Sequence, residues 1–385
     1  MNQIFSFTGA RKIIFGCGSF DRMAEYVAEL NGKRPLVVMD NVLSRNGFRE
    51  KISALFDAEG MRYSMFDSVE GEPPLELADE AADVALKGKA DSVIGIGGGS
   101  AMDVAKAAAV VATNKGTAKK FLGLNKIPGP GLPKIMVPTT AGTGSEVTFT
   151  SVFIRRELNK KEGMNSPFLY PEVALLDPML TLTVPPAVTA TTGGDAFCHA
   201  FESYTSIIAN PMSEMISLEA MRLIAANLRT CVHDGSNIEA REKMLMGSLY
   251  AGLGLANAGV TAVHSLSYPL GGKYGVSHGL ANTILLPAVM KFNLPGAIEK
   301  FANVAEVMGI PVKTMSRREA AYTAVEAVED LMLDCGVYDS LETLGIERKD
   351  FPELAEAAMA VARPLANNPR PVTVEDAIEI YDDAF

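Results

Sequence analysis

Val93-Ile-Gly-Ile-Gly-Gly-Gly-Ser100 runs from an apolar strand through three consecutive glycines into an alanine-rich helical pattern, Ala101 to Ala112, with Asp103 in its first turn. Gly97, Gly98 and Gly99 have no Cβ, so the turn can be tight and a pyrophosphate can approach the backbone. The helix that follows presents free N–H groups and the positive end of its dipole. The turn therefore suits a dinucleotide phosphate. The strict GxGxxG spacing is absent, and plain strand-to-helix turns also use glycine, so both readings stand at this point.

Working outward, Pro35-Leu-Val-Val-Met39, Ala90-Asp-Ser-Val-Ile-Gly95 and Lys134-Ile-Met-Val-Pro138 are apolar runs too short for helices. Phe48 to Glu59 and Pro74 to Lys89 between them have helical spacing. Strands alternating with helices imply βαβ units and a mostly parallel sheet. The opening segment, Gln3 to Phe15, alternates weakly and is expected to add a hairpin or an edge strand. Asp40 ends the Leu36-Val-Val-Met-Asp strand, where an acid can accept hydrogen bonds from an adenosine ribose and would repel a 2′-phosphate, favouring NAD. A cap of the next turn explains Asp40 equally well. Pro138-Thr-Thr-Ala-Gly-Thr-Gly-Ser-Glu-Val-Thr148 is a second loop after a strand, and Thr139, Thr140, Thr143 and Thr148 could donate to a nicotinamide amide or a phosphate. The competing reading is a turn whose hydroxyls are satisfied locally.

From Pro185 onward the texture changes. Val188 to Ile208, Met212 to His233, Ala240 to Tyr268 and Ala297 to Met308 carry Ala, Leu, Met and Glu at helical spacing. The boundary falls in the proline-punctuated Asp177 to Pro186, giving an α/β domain over residues 1–180 and an all-helical domain over 181–385. Two domains also suit a chain of 385 residues. The balance of 35 Lys+Arg against 46 Asp+Glu, a net charge of −11, argues against a nucleic-acid partner. The amino terminus lacks a signal-peptide pattern, no stretch reaches the ~18 apolar residues of a membrane span, and the four cysteines are scattered without CxxC. A cytoplasmic protein with no membrane association is expected.

The chain has only four histidines, His199, His233, His264 and His278. In Gly193-Gly-Asp195-Ala-Phe-Cys-His199 the i, i+4 spacing puts the carboxylate and the imidazole on one face of a helix. His264 is read at the end of an apolar helix, before a Pro269-Leu-Gly-Gly turn, and His278 lies on the next segment, so both can converge on the first pair. One carboxylate and three neutral imidazoles suit Fe2+, Zn2+, Co2+ or Ni2+ better than Mg2+ or Ca2+. A lone helical histidine is more often a satisfied core residue. Three of four beside glycine and helix boundaries favour a metal site, and His233, at a helix end, is assigned no chemistry.

With these motifs in place, the chain resembles the iron-containing (group III) alcohol dehydrogenases over nearly its whole length. The resemblance is carried in order by Gly97 to Lys106, Pro138 to Thr148, Ser166 to Pro171 with Asp177-Pro178, Gly194 to Glu202, and His264 to Tyr274 through His278 to Asn282. It implies a Rossmann-like dinucleotide-binding domain and an all-helical metal-binding domain, the architecture of dehydroquinate synthase. The implied metal ligands are Asp195, His199, His264 and His278. The implied cofactor set is Asp40, Gly97, Gly98, Gly99, Ser100, Asp103, Thr139, Thr140, Thr143, Thr148 and Lys161. It further implies Fe2+ with Zn2+ as the alternative, NAD with NADP as the alternative, a small alcohol or aldehyde substrate, and a homo-oligomer, dimer or larger. Tyr268 stands where many members carry a further histidine that relays a proton, and its hydroxyl, with an ordinary pKa of ~10, is a poorer base. Phe149, Thr150, Phe153 and Leu255 are the implied pocket residues. Competing readings are a zinc polyol dehydrogenase of the glycerol type, a metal- and NAD-dependent lyase similar to dehydroquinate synthase, and a binding module without turnover. The lyase would need several cations around the ligands, where Lys273 is the one in view.

Overall fold

The computed structural model describes residues 4–158 and 160–385. In chain order its first elements are β1 (Lys12–Phe15), α1 (Met23–Glu29), β2 (Pro35–Asp40), the single turn α2 (Asn41–Leu43), α3 (Arg49–Ala58), β3 (Ser64–Val69), α4 (Glu76–Gly88), β4 (Ser92–Gly97) and α5 (Gly99–Val111). β5 (Gly123–Leu124), β6 (Lys134–Pro138), β7 (Thr150–Arg155), β8 (Lys160–Asn165) and β9 (Val173–Leu176) complete the strands. Helices follow: α6 (Pro186–Thr205), α7 (Pro211–His233), α8 (Ile238–Ala258), α9 (Ala262–Tyr274), α10 (His278–Asn293), α11 (Ile298–Val307), α12 (Arg317–Asp334), α13 (Phe351–Met359), α14 (Ala362–Ala366) and α15 (Val374–Asp383). Two compact units result. One spans residues 9–140 and 144–181, and the other spans 182–385 together with Ala141–Thr143 and the described residues before Gly9.

In the first unit six parallel strands lie in the order β1-β9-β6-β4-β2-β3. β2, β4 and β6 are mostly apolar and buried along nearly their whole length because both faces of the sheet are covered. Val38 and Val93 join the core with α4 and α5, while Val37, Ile94 and Ile135 join the opposite core with α1 and α3. The chain leaves β2 for β3 on one side and returns to β4 on the other. The strand order thus reverses between β2 and β4, and ligands of open α/β sheets bind outside the carboxyl ends at such a reversal. Asp40 and Gly97 are the residues at those ends. The opening segment supplies an edge strand, β1, paired in parallel with β9 from Lys12↔Val173; Gln3 lies outside the described residues. A separate three-stranded sheet, β5-β8-β7, went unforeseen because the charged run around Arg155 to Lys161 hides its strand pattern.

The second unit is built of helices around one large core. The helix read as continuous from Ala240 to Tyr268 is corrected to two, α8 and α9. Gly259, at φ 69, follows the last turn of α8 in the left-handed region that favours glycine, and the chain restarts at Ala262. Pro269, read as a turn, lies inside α9, where packing against α10 and α13 outweighs its missing N–H.

Candidate active site

Three helices of the second unit bring the predicted ligands together. Asp195 and His199 sit one turn apart on α6, His264 is the third residue of α9, and His278 is the first of α10. Close helix approach makes the meeting feasible. A Cβ at Gly193 would lie 2.3 Å from Leu228 Cδ1, and one at Gly279 would lie 2.7 Å from the carbonyl oxygen of Thr191.

One ligand atom from each of Asp195, His199, His264 and His278 lies within 4.8 Å of all the others. His199 Nε2 and His264 Nε2 are 3.1 Å apart. Asp195 Oδ1 stands 3.9 Å from His199 Nε2 and 4.0 Å from His278 Nε2. Four ligands held about 2.1 Å from a tetrahedral ion would be roughly 3.4 Å from one another, so the group has the spacing of a coordination shell. Asp195, His199 and His264 are buried and His278 is partly open. Burial works to raise the Asp195 carboxyl, but the imidazoles of His199, His278 and His264 hold it below its usual range. Burial pushes the His199 imidazole down against the pull of Asp195, which favours the neutral, ligating form. The donor set is that of a borderline divalent cation. The half-buried Tyr268 borders the cluster, its ring 5.9 Å from that of His278 and 6.5 Å from that of His264.

Comparison with known proteins gives the family. Residues 10–178 match the iron-containing alcohol dehydrogenase profile, and residues 189–385 match that of the Fe-containing alcohol dehydrogenase family, C-terminal. This chain belongs to the iron-containing alcohol dehydrogenases. It is similar to long-chain-alcohol dehydrogenase 1 of Geobacillus thermodenitrificans, 40% identical over 96% of this chain and 94% of that protein. The crystal structure of a 1,3-propanediol oxidoreductase superposes with a TM-score of 0.96 at 36% identity, covering 100% of both chains. That of sulfoacetaldehyde reductase from Bifidobacterium kashiwanohense in complex with NAD+ gives 0.89 at 29% identity, covering 100% of this chain and 99% of the other. The protein is accordingly a metal-dependent alcohol dehydrogenase or aldehyde reductase, an oxidoreductase acting on CH–OH groups of a small molecule, with a nicotinamide cofactor. None of its helices, among the described residues, is long and apolar enough to cross a membrane.

The α/β unit of this dehydrogenase sorts the expected cofactor residues. Gly97 has φ 145, and a Cβ there would lie 2.8 Å from Asp40 Oδ2, so the acid and the glycine turn are neighbours. Asp40 Oδ1 meanwhile accepts the Leu43 N–H at 2.8 Å, as the cap reading expects. Gly98 precedes α5, Gly99 and Ser100 form its first turn, and Thr140 lies across from Gly98. Thr139 is buried at the end of β6, and Thr143 groups with the helical unit. Other expected contacts are spent inside the protein. Asp103 accepts Ser145 Oγ at 2.6 Å and the Val152 N–H at 2.8 Å, and pairs with Lys106 Nζ at 3.1 Å. The Thr148 hydroxyl meets Lys106 Nζ at 3.3 Å. Lys161 Nζ pairs with Glu72 at 2.7 Å. Phe153, read as a pocket residue, is corrected: it is 1% exposed and packs in the core with α4 and α5, because β7 turns it inward.

Sequence reading passed over two residues beside the ligands. Asn282 donates through Nδ2 to Asp195 Oδ1 at 2.7 Å and lies 3.1 and 3.2 Å from the Nε2 atoms of His264 and His278. Its i+4 spacing from His278 was the available signal. Glu202, three residues beyond His199 on α6, is completely buried and touches His264. A second group, Cys198, Glu202 and His264, also has ligand atoms close together. Burial drives the Cys198 thiol well above its usual range, so it stays protonated and offers no thiolate.

Proposed function

We propose that this dehydrogenase interconverts a small primary alcohol and its aldehyde with NAD, using Fe2+, or Zn2+ in its place, held by Asp195, His199, His264 and His278. The convergence of one carboxylate and three imidazoles at the spacing of a coordination shell carries the reading. When bound, the metal supplies Lewis acidity to the substrate oxygen and the nicotinamide accepts or returns the hydride. Asn282 orients Asp195 through its 2.7 Å hydrogen bond. Tyr268, beside His278, takes the place of the family's further histidine and relays the alcohol proton through its hydroxyl. Gly97, Gly98, Gly99 and Ser100 cradle the pyrophosphate, Asp40 reads the ribose, and Thr139, Thr140 and Thr143 contact the cofactor. Asp103, Thr148 and Lys161 act through the segments they brace. The lyase reading is disfavoured, since Lys273 Nζ is already paired with Glu353 at 2.6 Å and Asp350 at 3.5 Å. A homo-oligomer, dimer or larger, follows from the family resemblance, and a cytoplasmic location suits four cysteines without a disulfide.

The test strips the protein with a chelator, reloads Fe2+ or Zn2+, and screens short alcohols and aldehydes with NADH and NADPH at the nicotinamide absorbance. Stripping is expected to abolish turnover and reloading to restore it at one metal per chain. Full turnover with metal below stoichiometry would overturn the metal role.

A further inference from the structure

Glu202 is 0% exposed, yet nearly every lone pair of its carboxylate is engaged. Oε1 accepts the Thr261 N–H, the Thr261 hydroxyl and the Val263 N–H, each at 2.9 Å, and the His264 N–H at 3.4 Å. Oε2 faces His264 Nδ1 in a short hydrogen bond. The three amides are those that the first turn of a helix leaves without intrahelical partners, and α9 has no side-chain cap of its own. A carboxylate from α6 thus caps α9 and holds the ring of its third residue.

We propose that Glu202 is a positioning residue that sets the tautomer of His264, keeping the proton on Nδ1 so that Nε2 holds its lone pair for the metal. A neutral imidazole has one N–H, and an ionised carboxylate only accepts, so the proton of His264 must lie toward Glu202. Nε2 is then left facing His199 Nε2 at 3.1 Å, inside the ligand group. The inference rests on the metal reading above and adds to it a statement about a proton.

The consequence is an inverted order of damage between two variants. In Glu202→Gln the amide oxygen must keep the Oε1 position, because an NH2 there would oppose three backbone N–H groups. The NH2 then faces His264 Nδ1, which must accept, and the ring proton moves to Nε2, pointing at the metal. A near-isosteric change therefore installs the wrong tautomer. Glu202→Ala leaves the tautomer unconstrained but uncaps α9 and opens a cavity.

Metal-stripped protein titrated with Zn2+ against a chromophoric chelator reads the first effect, and thermal melts of the metal-free protein read the second. Zn2+ affinity is expected to fall about 10–100-fold in Glu202→Ala, the range for losing a partner of a ligating histidine, and further in Glu202→Gln. The metal-free melting temperature should fall more in Glu202→Ala. Equal affinity in Glu202→Gln and wild type, or a larger loss in Glu202→Ala, overturns the proposal while leaving the metal reading intact. A wild-type protein that binds no Zn2+ overturns both. Should Glu202→Gln not fold, 15N-histidine spectra of the metal-free wild type decide, with His264 identified by its loss in His264→Ala. A protonated Nδ1 supports the proposal, and a protonated Nε2 overturns it.

Discussion

Asp40 divides two tasks between two oxygens, one capping α2 through the Leu43 N–H and the other lying against the glycine turn. A 2′-phosphate beside that second oxygen would meet a like charge, so Asp40→Gly is expected to raise the NADP:NAD ratio of kcat/KM by about tenfold or more, worth roughly 1.4 kcal/mol. An unchanged ratio in steady-state assays would remove Asp40 from cofactor selection. Glu146 carries a different charge problem. It is 1% exposed, its Oε1 has no hydrogen-bond partner, and burial pushes its carboxyl up to about 7, partly offset by a backbone hydrogen bond and Lys106. Between its ordinary value of 4.5 and about 7 the folded chain holds a proton there that the unfolded chain has lost. Its contribution to stability therefore falls as pH rises through that window. Glu146→Gln should flatten this slope and gain stability relative to wild type at pH 8 over pH 5, read by urea unfolding at both values. The candidate metal ligands were legible because histidine is rare in this chain. Glu202 was not, because a glutamate on a helix ordinarily faces solvent, and only packing against α9 buries it.

Among the elements, the meeting of α6 and α10 decides the site. A Cβ at Gly279 would press on the backbone oxygen of Thr191, which no rotamer change relieves. Gly279→Ala should therefore move the start of α10, and His278 with it, lowering stability by about 1–3 kcal/mol. Zn2+ affinity should weaken alongside the melting temperature. A variant that loses neither would show that the two helices yield more readily than their packing implies. The parallel strands and their helices were readable from short apolar runs and period-3.6 segments. The α8–α9 break was not, because alanine-rich sequence continues through Gly259 and only its left-handed backbone marks the stop.

At the scale of the whole molecule, the four proposed ligand residues all belong to the helical unit, while Asp40 and the glycine turn belong to the α/β unit. Metal and cofactor should then stabilise different units. Zn2+ at about 100 times its Kd adds ~2.7 kcal/mol to whatever binds it, or about 5–10 °C for a unit of this size. Differential scanning calorimetry is expected to show a chelator lowering the helical unit's transition by that amount and NADH shifting the other. Both ligands moving one transition equally would mean that the units unfold together.

The α/β-then-helical order, the glycine turn with its acid, and the four candidate ligand residues were all legible in the sequence. These rest on local chemistry: apolar periodicity, residues without Cβ, and rare side chains at helical spacing. Only the tertiary structure decided that His199 and His264, 65 positions apart, face each other across 3.1 Å, that Glu202 holds the ring of His264 62 positions away, and that Asp103 and Thr148 are spent on Lys106. Those outcomes depend on which surfaces are buried against which, and burial is a property of the packed chain, set by contacts that no local window of sequence contains.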